Sequence, residues 1–263
     1  PEIPESIWKL INFSRDYESL EKLINFQIDS GISGLVAVGT TGESATIDFE
    51  DHLRLIEFFV KISNGRVSII AGTGANSTEE ALHLTKEAKS LGVDAALLVS
   101  PYYNKPPQEG IYRHHAKIAD EVDIPQILYN VPSRTASFIE PETVQRLSSH
   151  QNIIGIKDAT GDMKNLTSVI KLCEEEINGK NFFLYSGDDF SSLDFLKKGG
   201  HGTISVSSNV VPGIISEICN LVHNDFSKAK KLDDKIKMLN QNLFCESNPI
   251  PVKWALYKMG LIK

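Results

Sequence analysis

The 263-residue chain holds only three cysteines, Cys173, Cys219 and Cys245. They are far apart, odd in number and without CxxC spacing, which argues against a disulfide framework or a cysteine-built zinc site. Each falls in an apolar-periodic stretch and reads as a small core residue, as expected of a protein in a reducing cytosol. There is no HExxH; His114 and His115 are adjacent and cannot share a helix face, and the remaining histidines are scattered. Metal-dependent chemistry therefore lacks an evident ligand set, and no cofactor is expected. The GxSxG elbow of many hydrolases is missing. "GTGANS" wants the third glycine of a dinucleotide fingerprint, and no GK[ST] marks a phosphate loop. No apolar run approaches the eighteen or so residues that span a bilayer. "PEIPESIWKLIN" has no basic segment leading into an apolar one, so no secretory signal is read and a cytoplasmic location is expected. Positive charge is also in deficit: the net charge of −7 disfavours nucleic acid or an anionic membrane as partner.

What the chain does have is alternation. Short apolar runs recur as "SGLVAVG", "VSIIAG", "DAALLVS", "IPQILYN", "NIIGIK", "NFFLYSG" and "GTISV". Stretches with helical periodicity separate most of them: 48–61, 78–91, 108–121 and 163–175. The runs lack polar alternation, as parallel strands buried on both faces do. Such alternation implies right-handed βαβ units. Counting "SIWKLIN" as a first strand gives eight, the arithmetic of a TIM (β/α)8 barrel. An open doubly wound sheet is the competing reading, but it wants phosphate-binding glycines directly after the first strand. The barrel is assigned to residues 1–213. Helical stretches at about 214–224, 226–245 and 251–259 make residues 214–263 an added C-terminal helical segment packed on it.

In such a barrel the chemistry sits on the loops that follow the strands. Those loops read "GTTGES", "GTGANS", "PYYNKP", "YNVPSRT", "KDATG", "SGDD" and "SVSSN". They are rich in Gly, Thr, Tyr and Ser, with one strand-end lysine, Lys157. An amine held against apolar walls is poorly solvated as an ammonium, and such lysines form Schiff bases with ketones. The alternative is a solvated strand end, or an ion pair with Asp158. Tyr129 ends the preceding strand and should project beside Lys157; Tyr102 and Tyr103 lie one loop earlier. A phenol hydrogen-bonded to a hydroxyl, from Thr40 or Thr41, can relay protons. Taken singly, a strand-end tyrosine is an amphipathic cap. The "GTTGES" turn offers backbone N–H groups to a carboxylate, and Arg134 offers a bidentate clamp or an ordinary surface ion pair.

The segments "GTTGES", "AGTGAN", "PYYNKPPQEGIYRH", "LYNVPSRT", "IIGIKDATGD", "SGDD", "GGHGTISV" and "NPIPVKWAL" resemble, in order, those of the dihydrodipicolinate synthase family of pyruvate-dependent class I aldolases. The likeness runs from about Tyr17 to Lys263. It implies a TIM barrel that condenses pyruvate with aspartate-4-semialdehyde in lysine and diaminopimelate biosynthesis. By resemblance, Lys157 forms the imine and Tyr129 moves protons beside it. Thr40 and Tyr103 complete a hydroxyl relay, Tyr103 coming from the neighbouring subunit of a tight dimer, itself paired into a dimer of dimers. Thr41 holds the pyruvate carboxylate through its backbone, Arg134 receives the semialdehyde carboxylate, and Gly187 and Ile204 line the pyruvate pocket. A lysine-feedback pocket at the same interface corresponds to Ser44, Ala45, His52, Asn76, Glu80 and Tyr102, with L-lysine as inhibitor.

The chain departs from the family pattern at three places. Phe49 stands at a family histidine position of the feedback pocket. The first strand lacks the family's Thr-Pro and carries Lys9, against the local rule for a barrel strand. Helices that follow "KWALYKMGL" in the family do not follow it here. A sister pyruvate aldolase acting on sialic acid or 2-keto-3-deoxy sugars shares the lysine and tyrosine, but Arg134 in "NVPSRT" and the double threonine favour the synthase. A non-catalytic barrel that binds pyruvate or lysine is the reading from outside enzymology.

Overall fold

The computed structural model describes residues 16–263. Across them one parallel sheet of seven strands runs in sequential order. Its strands are β1 (Gly34–Ala37), β2 (Ser68–Gly72), β3 (Ala95–Val99), β4 (Gln126–Asn130), β5 (Ile153–Asp158), β6 (Phe183–Ser186) and β7 (Gly202–Thr203). Every apolar run from "SGLVAVG" onward supplies one of them. The expected first strand at 6–12, with Lys9, lies outside the described residues, so the count of eight is not reached within them. An α/β fold built on a seven-stranded parallel sheet is what stands. Among the described residues no helix is long and apolar enough to cross a membrane.

Both faces of the sheet are buried, which is why the strands read as unbroken apolar runs. Leu97, Ile127, Tyr129 and Val131 form an inner cluster, with Val36, Ile70, Val99 and Ile154 against it. On the outer face Leu128, Ile153, Ile156 and Leu184 pack against Ile111, Val144, Leu166 and Val169, which the crossover helices Gln108–Glu121, Pro141–Ser148 and Met163–Leu172 carry. The helices start where short polar side chains accept the first free amides: Asp48 from Asp51, Asp162 from Lys164 and Asp225 from Lys228. Such caps contribute about 1 kcal/mol each.

Local irregularities mattered more than the sequence suggested. The register slips between β4 and β5: Gln126 faces Ile153, but Ile127 faces Gly155. This bulge admits Ile154 to the inner cluster and sets the phase of everything after it on β5. A Cβ on Gly155 would lie 2.5 Å from the Phe183 carbonyl oxygen, so glycine lets β5 and β6 approach there. "GTISV" yields only a two-residue strand. The cause is Asp189, a buried residue whose Oδ2 accepts from the amides of Val206 and Ser207 at 2.9 and 2.8 Å and draws them off the ladder. The expected helix 163–175 breaks at Cys173 into Met163–Leu172 and Glu174–Asn178.

After β7 come the helices Pro212–Leu221, Phe226–Asn242 and Ile250–Lys258. The first two share an apolar cluster with the helix Ser192–Lys197, through Leu193, Leu196, Ile215, Ile218, Ala229 and Ile236.

His114 and His115 are both buried on the helix Gln108–Glu121. Thr78 Oγ1 lies 2.9 Å from His114 Nδ1, while neither ring nitrogen of His115 has a hydrogen-bond partner among the described residues. Burial depresses both, His114 to about 4 and His115 well below the ordinary histidine value. The unfolded chain therefore binds more protons than the folded one as pH falls from about 6.5, and stability is lost in that direction. His115→Leu removes one such site and a buried polar ring. Stability at pH 7 should hold or rise, and the acid-side slope between pH 6 and 4.5 should shrink by up to about 1.4 kcal/mol per pH unit. Urea unfolding across that range measures it; an unchanged slope would contradict the assignment.

Candidate active site

Three neighbouring strands set a row of side chains at the C-terminal end of the sheet. Tyr129 on β4 and Tyr185 on β6 are both Cα partners of Lys157 on β5. Residues level with one another on adjacent strands project to the same side. Lys157 is only 8% exposed, and its Nζ sits 4.2 Å from the centre of the Tyr129 ring, within cation–π range. The Lys157 stem has a specific passage. A Cβ on Gly187 would fall 2.8 Å from Lys157 Cε, 3.1 Å from its Cγ and 2.9 Å from the Ala159 Cβ.

Asp158 follows the strand alternation to the other face. It is buried and accepts from the Thr160 amide at 2.9 Å and from Asn165 Nδ2 at 2.7 Å. Burial raises its pKa, with those hydrogen bonds opposing. The Lys157–Asp158 ion pair weighed from sequence is not the arrangement found: the carboxylate secures the loop after β5.

At the same end of the sheet the turn Thr40–Gly42 follows β1. The amides of Gly42 and Glu43 are bonded to the carbonyls of Gly39 and Thr40, both at 3.0 Å. That narrows the donors the turn can present to an anion to those of Thr40 and Thr41. Thr40, Thr41, Tyr129, Arg134, Lys157, Gly187 and Ile204 all line one cavity, which also extends along the apolar side chains of Leu20, Ile24, Leu35, Leu55 and Ile215. Seven of the residues singled out from sequence thus share one lining. Tyr103 does not line it. It stands 89% exposed with a left-handed backbone (φ 73°), a costly conformation for a bulky residue.

The six positions of the expected feedback pocket also lie off the cavity lining. Ser44 and Ala45 belong to the next short turn, Ser44–Thr46. His52 is buried with Nε2 2.8 Å from the Gly72 carbonyl oxygen, and burial lowers its pKa. The Glu80 amide is bonded to the Ser77 cap, Asn76 and Tyr102 are half-buried, and Phe49 stacks on His83 at 4.7 Å between ring centres.

Three cavity residues were missed. Tyr185 has its pKa raised by burial and repeats the strand-end pattern that picked out Tyr129, so "FLYS" was a usable signal. Asn248 donates from Nδ2 to Thr41 Oγ1 at 3.1 Å and accepts on its backbone oxygen from Arg134 Nη2 at 3.2 Å. Lys253, on the helix Ile250–Lys258, is buried against Glu43. Burial pulls its pKa down to about 8, and the carboxylate beside it favours the charged form. Nothing local in "NPIPVKW" announces these contacts; they depend on how the last helix docks.

The likeness to known proteins covers this whole arrangement. A family model described as "Dihydrodipicolinate synthetase family" matches residues 14–263. The 4-hydroxy-tetrahydrodipicolinate synthase of Alcanivorax borkumensis is 52% identical over 250 residues, which are 95% of this chain and 83% of that protein. Among solved structures, the chloride-inhibited dihydrodipicolinate synthase of Acinetobacter baumannii, complexed with pyruvate, superposes with a TM-score of 0.90. It is 50% identical, over 94% of this chain and 84% of that one. The enzyme of Cyanidioschyzon merolae with lysine bound gives a TM-score of 0.88 at 36% identity, over 94% and 83% of the two chains. With the model matched from before the first described helix to the last residue, the chain belongs to the dihydrodipicolinate synthetase family.

Proposed function

We propose that the protein is a Schiff-base aldolase that condenses pyruvate with L-aspartate-4-semialdehyde to 4-hydroxy-tetrahydrodipicolinate, in the cytoplasm, for lysine and diaminopimelate synthesis. The observation that carries this reading is the buried Lys157 amine, set level with Tyr129 and Tyr185 in a cavity that Thr41 and Arg134 also line. Relatives about 50% identical bear the name of this synthase.

The Lys157 amine adds to the pyruvate ketone and water leaves, giving the imine. Loss of a methyl proton to the Tyr129–Thr40 hydroxyls gives the enamine. Its carbon attacks the semialdehyde carbonyl, and the same hydroxyls return the proton to the new alkoxide. The substrate amine then attacks the imine carbon, closing the ring and releasing Lys157. Thr41 holds the pyruvate carboxylate, Arg134 the second carboxylate, and Gly187 and Ile204 shape the pyruvate end.

Tyr103 belongs to the same relay through assembly. A strained, solvent-facing tyrosine fits a residue lent to a neighbouring copy, and a tight dimer, itself paired, is the assembly we propose. The fold we propose is the closed (β/α)8 barrel on residues 1–213, with 214–263 as its helical addition; seven parallel strands in unbroken sequence order support it.

Incubation with pyruvate and borohydride should add one reduced pyruvate to Lys157, located by mass spectrometry; absence of that adduct refutes the imine. Turnover with aspartate semialdehyde but not with sialic acid or 2-keto-3-deoxy sugars should follow. Gly187→Ala pushes a methyl into the lysine stem, and a displacement of about 1 Å costs on the order of a hundredfold in rate. The trapping rate should fall by about that factor while the protein stays folded, with a lowered melting temperature from the added methyl against Ala159; an unaffected rate would show that the passage is not restrictive. L-lysine should inhibit through Ser44, Ala45, His52, Asn76, Glu80 and Tyr102 even with Phe49 in place of the family histidine. Full activity in millimolar lysine would remove that part of the proposal.

A further inference from the structure

Asn248 and Lys253 reach the catalytic end of the sheet from the far end of the chain, and they grip it at three points. Asn248 is 7% exposed and bridges two elements that sequence keeps far apart, the Thr40–Gly42 turn and the Pro132–Thr135 helix. Its side-chain amide donates to Thr41 Oγ1 at 3.1 Å, and its backbone carbonyl accepts from Arg134 Nη2 at 3.2 Å. Lys253 pairs with Glu43, the residue that closes the Thr40–Gly42 turn in a left-handed conformation (φ 59°).

These contacts have chemical consequences. A hydroxyl that accepts from an amide N–H turns its own proton away from that amide. Thr41 and Asn248 both line the cavity, so the Thr41 hydroxyl becomes a donor toward whatever anion occupies it. Arg134 uses one of its five N–H groups on the Asn248 carbonyl and keeps the rest of its fork for a carboxylate.

We propose that Asn248 is a positioning residue that orients the Thr41 hydroxyl toward the pyruvate carboxylate and fixes the spacing between that seat and the one at Arg134, with the Lys253–Glu43 pair bracing the turn. This rests on the aldolase reading above. Because Arg134 is held through the backbone of Asn248, side-chain variants act on the Thr41 end alone. The step is one of binding and orientation, so it shows in the pyruvate dependence more than in the maximal rate.

The discriminating comparison is Asn248→Ala against Asn248→Asp. Alanine removes the donor, and the pyruvate concentration for half-maximal borohydride trapping should rise about tenfold, as loss of one hydrogen bond to a charged ligand predicts. Aspartate keeps the shape but only accepts; it draws the Thr41 proton to itself and sets a negative charge beside the pyruvate carboxylate. Its rise should be larger, on the order of a hundredfold. The kcat of either variant at saturating pyruvate should stay within about threefold of the parent, and the semialdehyde KM should move less than the pyruvate one. A residue that merely fills space would give the opposite order, with the isosteric aspartate milder than alanine; that order, or no change in either variant, overturns the proposal. If Asn248→Ala does not fold, the double variant Glu43→Gln/Lys253→Met removes the brace without stranding a charge. It should raise the same half-saturation value severalfold, and an unchanged value counts against the brace. Failure of the parent protein to trap pyruvate at all would instead reject the aldolase reading.

Discussion

The register across β4, β5 and β6 is the constraint on which the active end of this protein depends. Side chains alternate along a strand, so a slip of one residue would send Lys157 out among the helices and bring Asp158 inward. The bulge opposite Gln126 fixes that phase, and Gly155 lets β6 come close enough to hold it. The ring of Tyr129 under Nζ gives the Lys157 amine a cation–π partner in that row. The outer face absorbs the consequences. Ile153 and Ile156 are committed to the helices, so the strand cannot rotate without exposing its core contacts.

The catalytic end then divides into parts of different stiffness. Strands supply the amine and the two flanking phenols, where small displacements are most damaging. Turns supply backbone amides and hydroxyls to the same end, and turns need bracing. Asp158 braces the loop after β5 through Thr160 and Asn165, while Asp189 braces the loop after β7 through Val206 and Ser207. Lys253 does the same for the Thr40–Gly42 turn through Glu43. Asp158, Asp189 and Glu43 are therefore spent on architecture, and the hydroxyls of Thr40, Thr41, Tyr129 and Tyr185 are left among the residues that line the cavity.

The alternation of buried strands and amphipathic helices was legible in the sequence because burial on both faces leaves a pattern that needs no partner to read. Lys157 and Tyr129 were legible because strand ends precede loops, and loops after parallel strands carry chemistry. Tyr185 followed the same logic and was passed over. The bulge was not legible: "NIIGIK" gives no hint that Ile154 and Lys157 both turn inward. The shortness of β7 was hidden for a similar reason, since "GTISV" is a good strand until Asp189 takes the amide of its last residue and that of Ser207 just beyond. Asn248 and Lys253 were hidden by distance, as their partners Thr41, Glu43 and Arg134 lie more than a hundred residues away.

Charge gives the remaining constraint. The chain carries a net −7, yet a carboxylate substrate must enter a cavity in it. Long-range attraction cannot supply this, because surface charge is screened within about 10 Å at ordinary salt. The local fields of Lys157, Arg134 and Lys253 act over shorter distances and against low-dielectric walls. Glu43 takes up the charge of Lys253, which leaves Lys157 and Arg134, among the described residues that line the cavity, as the lysine and arginine available to incoming acids. Two cations at separate points of one cavity suit two carboxylates better than one. In the proposed aldolase cycle Lys157 becomes a neutral enamine, and the first carboxylate must then be held by dipoles instead. In the mechanism proposed here that falls to Thr41, and a residue that aims its hydroxyl then matters as much as the residue that forms the bond.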